Sequence, residues 1–294
     1  MAAPGRVVIL GARGQVGSAL MELLGEEAVG ITRSDADLTN QASLFAALTA
    51  VGPVRALVNA AAYNNVDRAE FERELAFAVN ADLPRNAASW AAQRAIPFVH
   101  YSTEYVFPDG GDRGWREEDP TQPLNIYGES KRAGEVAVCA SEGERLVIRT
   151  SWVYSTQHRN FVWKVLELAK SSPRLQMVAD QWGSPTHAVE LAKTTIAILG
   201  EVGISAIGAS GVLHLAGLGM TNRADFARAI LDAAVATGVL AKPVPVDEIK
   251  VDEFATNARR PTHCTLDCSR AESLGFALPA WRDSLTGVVT EMRR

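Results

Sequence analysis

Arg6-Val-Val-Ile-Leu10 runs without a spacer into Gly11-Ala-Arg-Gly14-Gln-Val-Gly17, and the reading of this stretch decides the fold. The apolar, mostly β-branched run Val7 to Leu10 predicts a short buried strand. Glycines at 11, 14 and 17 then mark a tight turn, and Val16, Leu20, Leu23 and Leu24 recur at helical spacing. Strand, glycine turn and helix in this order leave backbone N–H groups open at a helix N-terminus, where no Cβ blocks the approach of a pyrophosphate. Gly11, Gly14 and Gly17 are therefore candidate cofactor-binding residues, with a bare strand-to-helix turn as the competing reading.

The alternation continues outward from that motif. Ala28 to Thr32, Val54 to Val58 and Pro97 to Tyr101 read as further strands, and Ala42 to Ala50 and about Asp67 to Arg94 as helices between them. Strands separated by helices imply a doubly wound parallel sheet of the Rossmann type with right-handed crossovers. Where a ribose-binding acid would fall, about 20 residues past the glycines, the chain has Thr32-Arg33-Ser34. Arg33 can neutralise a 2′-phosphate, which favours NADPH, while Asp35 and Asp37 leave NADH open. Asn59-Ala-Ala61-Ala62-Tyr63-Asn64 ends the third strand with three small residues, against which a flat group can lie. The fourth strand runs out into Ser102-Thr103-Glu104 at the ligand-facing edge, where a hydroxyl can donate to a carbonyl oxygen that becomes an alkoxide.

Leu124-Asn-Ile-Tyr127-Gly-Glu-Ser-Lys131 then places a phenol and an ammonium four residues apart, on one face of a helix start. A phenol titrates near about 10 and donates a proton at neutral pH; a neighbouring cation would stabilise the phenolate it leaves. Tyr127, Lys131 and Thr103 are the candidate catalytic residues.

The 294 residues carry a formal charge of −5 with cations scattered rather than striped, so nucleic acid is not an expected partner. Cys139, Cys264 and Cys268 are too few for a disulfide framework, no apolar run approaches the roughly 20 residues of a membrane span, and the first strand starts too early for a signal peptide. A cytoplasmic protein with no membrane contact is expected. In the second half, Phe161 to Ala169 and Glu190 to Leu199 read as helices, and Leu175 to Val178 and Val212 to Leu215 as buried runs, with His214 a core histidine. The sheet domain is therefore expected over residues 1–150 plus about 187–216. A smaller, interleaved C-terminal part for the substrate takes about 151–186 and 217–294. Arg259 and Arg260 offer either phosphate-binding cations or a solvated pair, and His263, Cys264 and Cys268 supply too few ligands for a metal.

The glycine motif, Asn59-Ala-Ala, Ser102-Thr103 and Tyr127-x3-Lys131, in this order, resemble an extended short-chain dehydrogenase/reductase. Val66-Asp67-x-Ala-Glu70, Ser102-Thr-Glu-Tyr-Val-Phe107, Pro123-Leu-Asn-x-Tyr-Gly-Glu-x-Lys131, Arg149-Thr-Ser-Trp-Val-Tyr154, Asp180-Gln-Trp-Gly-Ser-Pro-Thr186 and Ala258-Arg-Arg-Pro261 are similar, more narrowly, to the dTDP-4-dehydrorhamnose reductase family. The resemblance implies hydride transfer from NADPH or NADH to the 4-keto group of dTDP-4-dehydro-L-rhamnose. Tyr127 would protonate the alkoxide, Lys131 would bind the nicotinamide ribose and lower the phenol pKa, and Thr103 would polarise the carbonyl. By family position Gly14, Gln15, Val16, Asp37, Leu38, Ala62, Tyr63 and Asn64 fall on the cofactor, joined by Gly11, Gly17, Arg33, Ala61 and Ser102, while Val66, Thr103, Glu104, Tyr127 and Trp152 fall on the sugar nucleotide. The family usually has aspartate where this chain has Glu104. Some members pair subunits through magnesium, but the matching positions here are Ala19, Val189 and Lys193, so a homodimer, where one forms, is expected without a bridging metal. Two other readings share these motifs: a regulatory subunit resembling the beta subunit of methionine adenosyltransferase, and a reductase of another deoxysugar nucleotide.

Overall fold

The computed structural model describes residues 5–110, 113–208 and 211–292. Six strands, β1 (Arg6–Leu10), β2 (Ala28–Ile31), β3 (Val54–Asn59), β4 (Phe98–Thr103), β5 (Arg145–Thr150) and β6 (Val212–His214), form one parallel sheet in the order β6-β5-β4-β3-β1-β2. The direction of strand addition reverses between β1 and β3, and in open parallel sheets the ligand crevice lies outside the carboxyl ends at such a reversal.

Both faces of the sheet are covered, as a parallel sheet requires. Because successive side chains point to opposite faces, Val7, Ile9, Val58, Val99 and Ile148 meet Leu20 of the helix Gln15–Leu24 and Leu191 of the helix Ala188–Ala197. Val8, Leu10, Leu57, Phe98 and Val147 meet Leu44, Leu48, Leu83, Trp90 and Val138 on the other side. Ala19 is buried in the first of these cores and Val189 packs against it, while Lys193 pairs with Glu190 on the same helix.

A separate core unites Tyr154, Val162, Val165, Leu175, Phe226, Ile230, Trp281 and Leu285. It is built from the helices Phe161–Ser171, Arg223–Ala236 and Trp281–Glu291 and the parallel pair Leu175–Val178 with Val246–Ile249. The chain then returns to the sheet, because Leu213, Leu215, Ala271, Phe276 and Leu278 belong to the first core. Among the described residues no helix is long and apolar enough to cross a membrane.

The stretch expected as one helix from Asp67 to Arg94 is instead broken. It comprises Val66–Ala69, Arg73–Phe77, a wide five-residue turn Ala78–Asp82 and Leu83–Ala92, and Glu72 leaves helical geometry at φ −115, ψ 43. The physical reason lies in its polar side chains. Glu72 turns to accept a 2.6 Å bond from the Tyr63 hydroxyl, and the wide turn aims the buried Asn80 inward at the 61–64 loop.

Candidate functional site

Gly14 precedes the helix Gln15–Leu24 at φ −79, ψ 172, with no side chain capping the helix start, so its first N–H groups remain available to an anion. Gly11 has φ +76, and a Cβ there would lie 2.6 Å from Ala61 Cα; a Cβ at Gly17 would lie 2.2 Å from the Gly11 carbonyl oxygen. Gly11 therefore lets the exits of β1 and β3 close on each other, and Gly17 lets the helix start pack on the turn. Val16 is half-buried behind the turn. Gln15 bridges outward: its Nε2 donates to Val153 O at 3.1 Å, and its Oε1 accepts from Ser155 Oγ at 2.9 Å and Asn160 Nδ2 at 3.1 Å.

At the expected ribose end Arg33 and Asp37 are exposed and Leu38 is buried in the far core. Asp35 accepts from Thr32 N and Oγ1, and Asp37 from Thr39 N and Oγ1, and these bonds hold both carboxyls below their ordinary range. On the opposite wall, Ala61 N donates to Asn59 Oδ1 at 3.2 Å. Asn80 accepts from Tyr63 N at 2.9 Å and donates to Tyr63 O at 3.0 Å and Ser130 Oγ at 2.9 Å, fixing the loop on which Ala62 and Asn64 are exposed.

The proposed chemistry converges at the end of β4. Asn125 caps the helix Ile126–Cys139, accepting from Gly128 N at 2.8 Å and donating to Arg259 O at 2.8 Å. This aims Tyr127 at the end of β4, where its phenol neighbours the Thr103 hydroxyl and its ring meets that of Tyr105 edge-on. Thr103 Oγ1 in turn donates to Glu104 Oε2 at 2.9 Å. Lys131, one turn further on, is 2 % exposed; its Nζ donates to Tyr101 O at 2.6 Å and lies 3.4 Å from His100 Nε2, while His100 Nδ1 lies 3.0 Å from Asn59 Nδ2. Ser102 is buried, and among the described residues its hydroxyl has no partner, which leaves it available to a bound group.

Electrostatics here depart from the sequence reading. Tyr127 was expected to be lowered by Lys131, yet its pKa is raised, first by burial and then by the negative charge of Glu104. Lys131 is itself lowered to about 8, by burial, against the pull of Glu135. The cause is geometric: the ammonium turns toward the Tyr101 carbonyl rather than the phenol.

On the far wall Trp152 sits at φ +42, a left-handed backbone that disfavours a bulky side chain, and its ring lies so close to Gly183 that a Cβ there would be 2.3 Å away. Arg223 stacks 3.4 Å from the Trp152 ring centroid and faces Glu104, whose carboxyl is 4 % exposed and pushed up to about 7 by burial. Arg223, Arg260, Phe161 and Asn64 line a cavity of about 640 Å³ beside this wall. Val66 is half-buried at the start of its helix, and Arg260 pairs with Asp67 at 2.6 Å, so the phosphate-binding and solvated readings of that arginine are joined by a structural one. His214 is a core residue beside Arg149, and among the described residues no three His, Cys, Asp or Glu side chains group as metal ligands. Sequence reasoning missed Asn80, His100 and Arg223 as parts of this site. Only the cap pattern Asn222-x-x-Asp225 hinted that Arg223 opens a helix.

The family model described as RmlD substrate binding domain matches residues 5–294. The dTDP-4-dehydrorhamnose reductase of Sinorhizobium fredii (strain NBRC 101917 / NGR234) is 35% identical over 288 residues, 97% of this chain and 96% of that protein. The enzyme of the same name from Escherichia coli (strain K12) is 33% identical over 293 residues, 97% of each chain. The crystal structure of dTDP-4-dehydrorhamnose reductase from Bacillus anthracis str. Ames in complex with NADP superposes with a TM-score of 0.88 at 32% identity, covering 98% of this chain and 100% of that one. With a doubly wound sheet, a glycine cradle at its reversal and a Thr-Tyr-Lys cluster at its edge, and with these matches along nearly its whole length, the chain belongs to the dTDP-4-dehydrorhamnose reductase family.

Proposed function

We propose that this chain reduces the 4-keto group of dTDP-4-dehydro-L-rhamnose to give dTDP-L-rhamnose, with NADPH as hydride donor and NADH as the weaker one. The observation that carries this reading is the meeting of the Tyr127 phenol with the Thr103 hydroxyl at the carboxyl end of β4, one helical turn from the buried Lys131. Two hydroxyls on one point can polarise a carbonyl and protonate the alkoxide that hydride addition leaves. The residues fit a dinucleotide: the Gly11–Ala61 contact leaves the cradle open, and the Ser102 hydroxyl lacks a partner among the described residues. Gly11, Gly14, Gln15, Val16 and Gly17 would hold the pyrophosphate, Arg33, Asp37 and Leu38 the adenosine ribose, and Ala61, Ala62, Tyr63, Asn64, Ser102 and Lys131 the nicotinamide half. When bound, the dinucleotide supplies the hydride.

On the sugar side, Thr103 orients the ketone, Tyr127 gives up its proton at Oη, and Val66, Glu104 and Trp152 shape the pocket. Residues 151–186 and 217–294 supply that side and 1–150 with 187–216 the dinucleotide side, a division supported by the separate core around Phe226. The B. anthracis relative, solved with NADP, supports the cofactor choice. Action in the cytoplasm, and any homodimer formed without a bridging metal, belong to the same reading; the buried Ala19 supports the latter. The test is to mix purified protein with NADPH and dTDP-4-dehydro-L-rhamnose and follow absorbance of the reduced cofactor. Substrate-dependent oxidation is expected, and none with either NADPH or NADH would overturn the reading.

A further inference from the structure

We propose that residues 66–70 are the joint that sets the distance between the ketone end and the diphosphate end of the sugar nucleotide. Asp67 and Glu70 act in it as positioning residues, one for Arg260 and one for Tyr127; this rests on the reductase reading above. Three segments far apart in the chain meet here, and each is tied to the other two through a side chain. Glu70 Oε1 accepts from Ile126 N at 2.9 Å, in the first turn of the helix that carries Tyr127. Asp67 Oδ1 accepts from Asn257 N and from Ala258 N at 3.1 Å each, and its Oδ2 accepts from Arg260 Nη2 at 2.6 Å. Asn125, the cap of the Tyr127 helix, closes the triangle by donating to Arg259 O at 2.8 Å.

Both carboxylates come from one short helical stretch, Val66–Ala69 with Glu70 following it. Asn65 caps its start, accepting from Arg68 N at 3.2 Å, and the buried Ala69 anchors it from below. Residues three apart share a helix face, so one rigid turn presents both acids together. The Ile126 N–H is among the first of its helix and has no partner inside it; a carboxylate there satisfies the donor and suits the positive end of the helix dipole. Residues 257–260 belong to no helix or strand, and Asp67 supplies the acceptor that a regular element would have given them. Arg260 lines the cavity of about 640 Å³ together with Arg223 and Lys164, cations suited to a diphosphate, and Asp67 fixes one edge of its guanidinium there. A sugar nucleotide held at its diphosphate must present its ketone to Tyr127 without slack, since a misplacement of about 1 Å can cost on the order of 10² in rate.

The test uses the full chain with NADPH and the sugar nucleotide. Asp67→Ala releases the diphosphate end alone: the KM for the sugar nucleotide should rise on the order of tenfold, with kcat and the KM for NADPH kept within about twofold. Glu70→Ala releases the tyrosine end: kcat should fall on the order of tenfold with both KM values kept. Glu70→Gln retains an oxygen for Ile126 N and should recover most of that loss. Wild-type kinetics in both alanine variants would overturn the joint, and so would a joint loss of NADPH and sugar-nucleotide affinity, the mark of a loosened fold. Should the wild type leave the sugar nucleotide unreduced, the reductase reading fails, and hydrogen exchange alone then judges the joint. Asp67, not Glu70, accepts from amides 257 and 258, yet both amides should exchange faster in Glu70→Ala because the triangle has lost a side. Exchange there as slow as in wild type sinks the proposal whatever the substrate is.

Discussion

Tyr127 and Lys131 stand one helical turn apart, yet different neighbours set their charges. The phenol answers to burial and Glu104, the ammonium to burial and Glu135. Tyr127→Phe removes the hydroxyl proposed to protonate the sugar alkoxide, so kcat is expected to fall by a factor on the order of 10² to 10⁴ while cofactor affinity, measured by fluorescence titration, is kept. Glu104 makes a second prediction, for stability. Its folded pKa, about 7, is raised above the ordinary 4.5, so its stabilising effect is complete below the ordinary value and lost as pH rises through about 7. Between about pH 4 and about pH 8, Glu104→Gln should therefore gain on wild type by up to about 3 kcal/mol in denaturant melts, and a pH-independent difference would contradict the buried carboxyl. At the expected ribose end Asp35 and Asp37 each hold one carboxylate oxygen on their own turn, and Arg33 stands exposed beside them. NADPH should be favoured over NADH on the order of tenfold or more in kcat/KM, and Arg33→Ala should erase that preference. Thr103, Tyr127 and Lys131 were legible because reactive groups at fixed spacing on predicted elements carry their chemistry openly. His100 and Arg223 were not, since each matters through a partner far along the chain: Lys131 for one, the Trp152 ring for the other.

At the scale of elements, the glycine cradle and β1 to β4 could be read from apolar runs and turn residues, whereas the break within 67–94 could not. A helical pattern continues through Glu72 and Asn80 in sequence, and only the bonds they accept from Tyr63 and the one Asn80 donates to Ser130 show why the coil opens there. Asn80→Ala would leave the Tyr63 N–H and carbonyl without the side chain that now satisfies both. A loss of about 1 to 3 kcal/mol in thermal unfolding is expected, along with weaker dinucleotide binding. β5 escaped notice for a related reason: Arg145 and Arg149 at its two ends make an internal strand look like surface.

Taken as a whole molecule, the sheet and its covering helices are tied by a charge pair that water does not reach. Arg149 on β5 grips Glu135 of the helix Ile126–Cys139 through Nε at 2.8 Å and through its terminal nitrogen at 2.9 Å, with His214 of β6 at 3.2 Å. Such a pair adds little against an apolar replacement, but removing one member leaves the other unneutralised. Glu135→Ala is expected to cost about 3 to 5 kcal/mol in chemical denaturation, with the loss greatly reduced when Arg149 is replaced by Met as well. The carboxamide of Gln15 has a different reach, since it joins the glycine turn to Val153, Ser155 and Asn160. Whatever stiffens that turn must also stiffen the strand of chain leading to the second core. Amides 153–160 should then exchange more slowly with deuterated solvent once a dinucleotide is bound, an effect that Gln15→Ala should abolish.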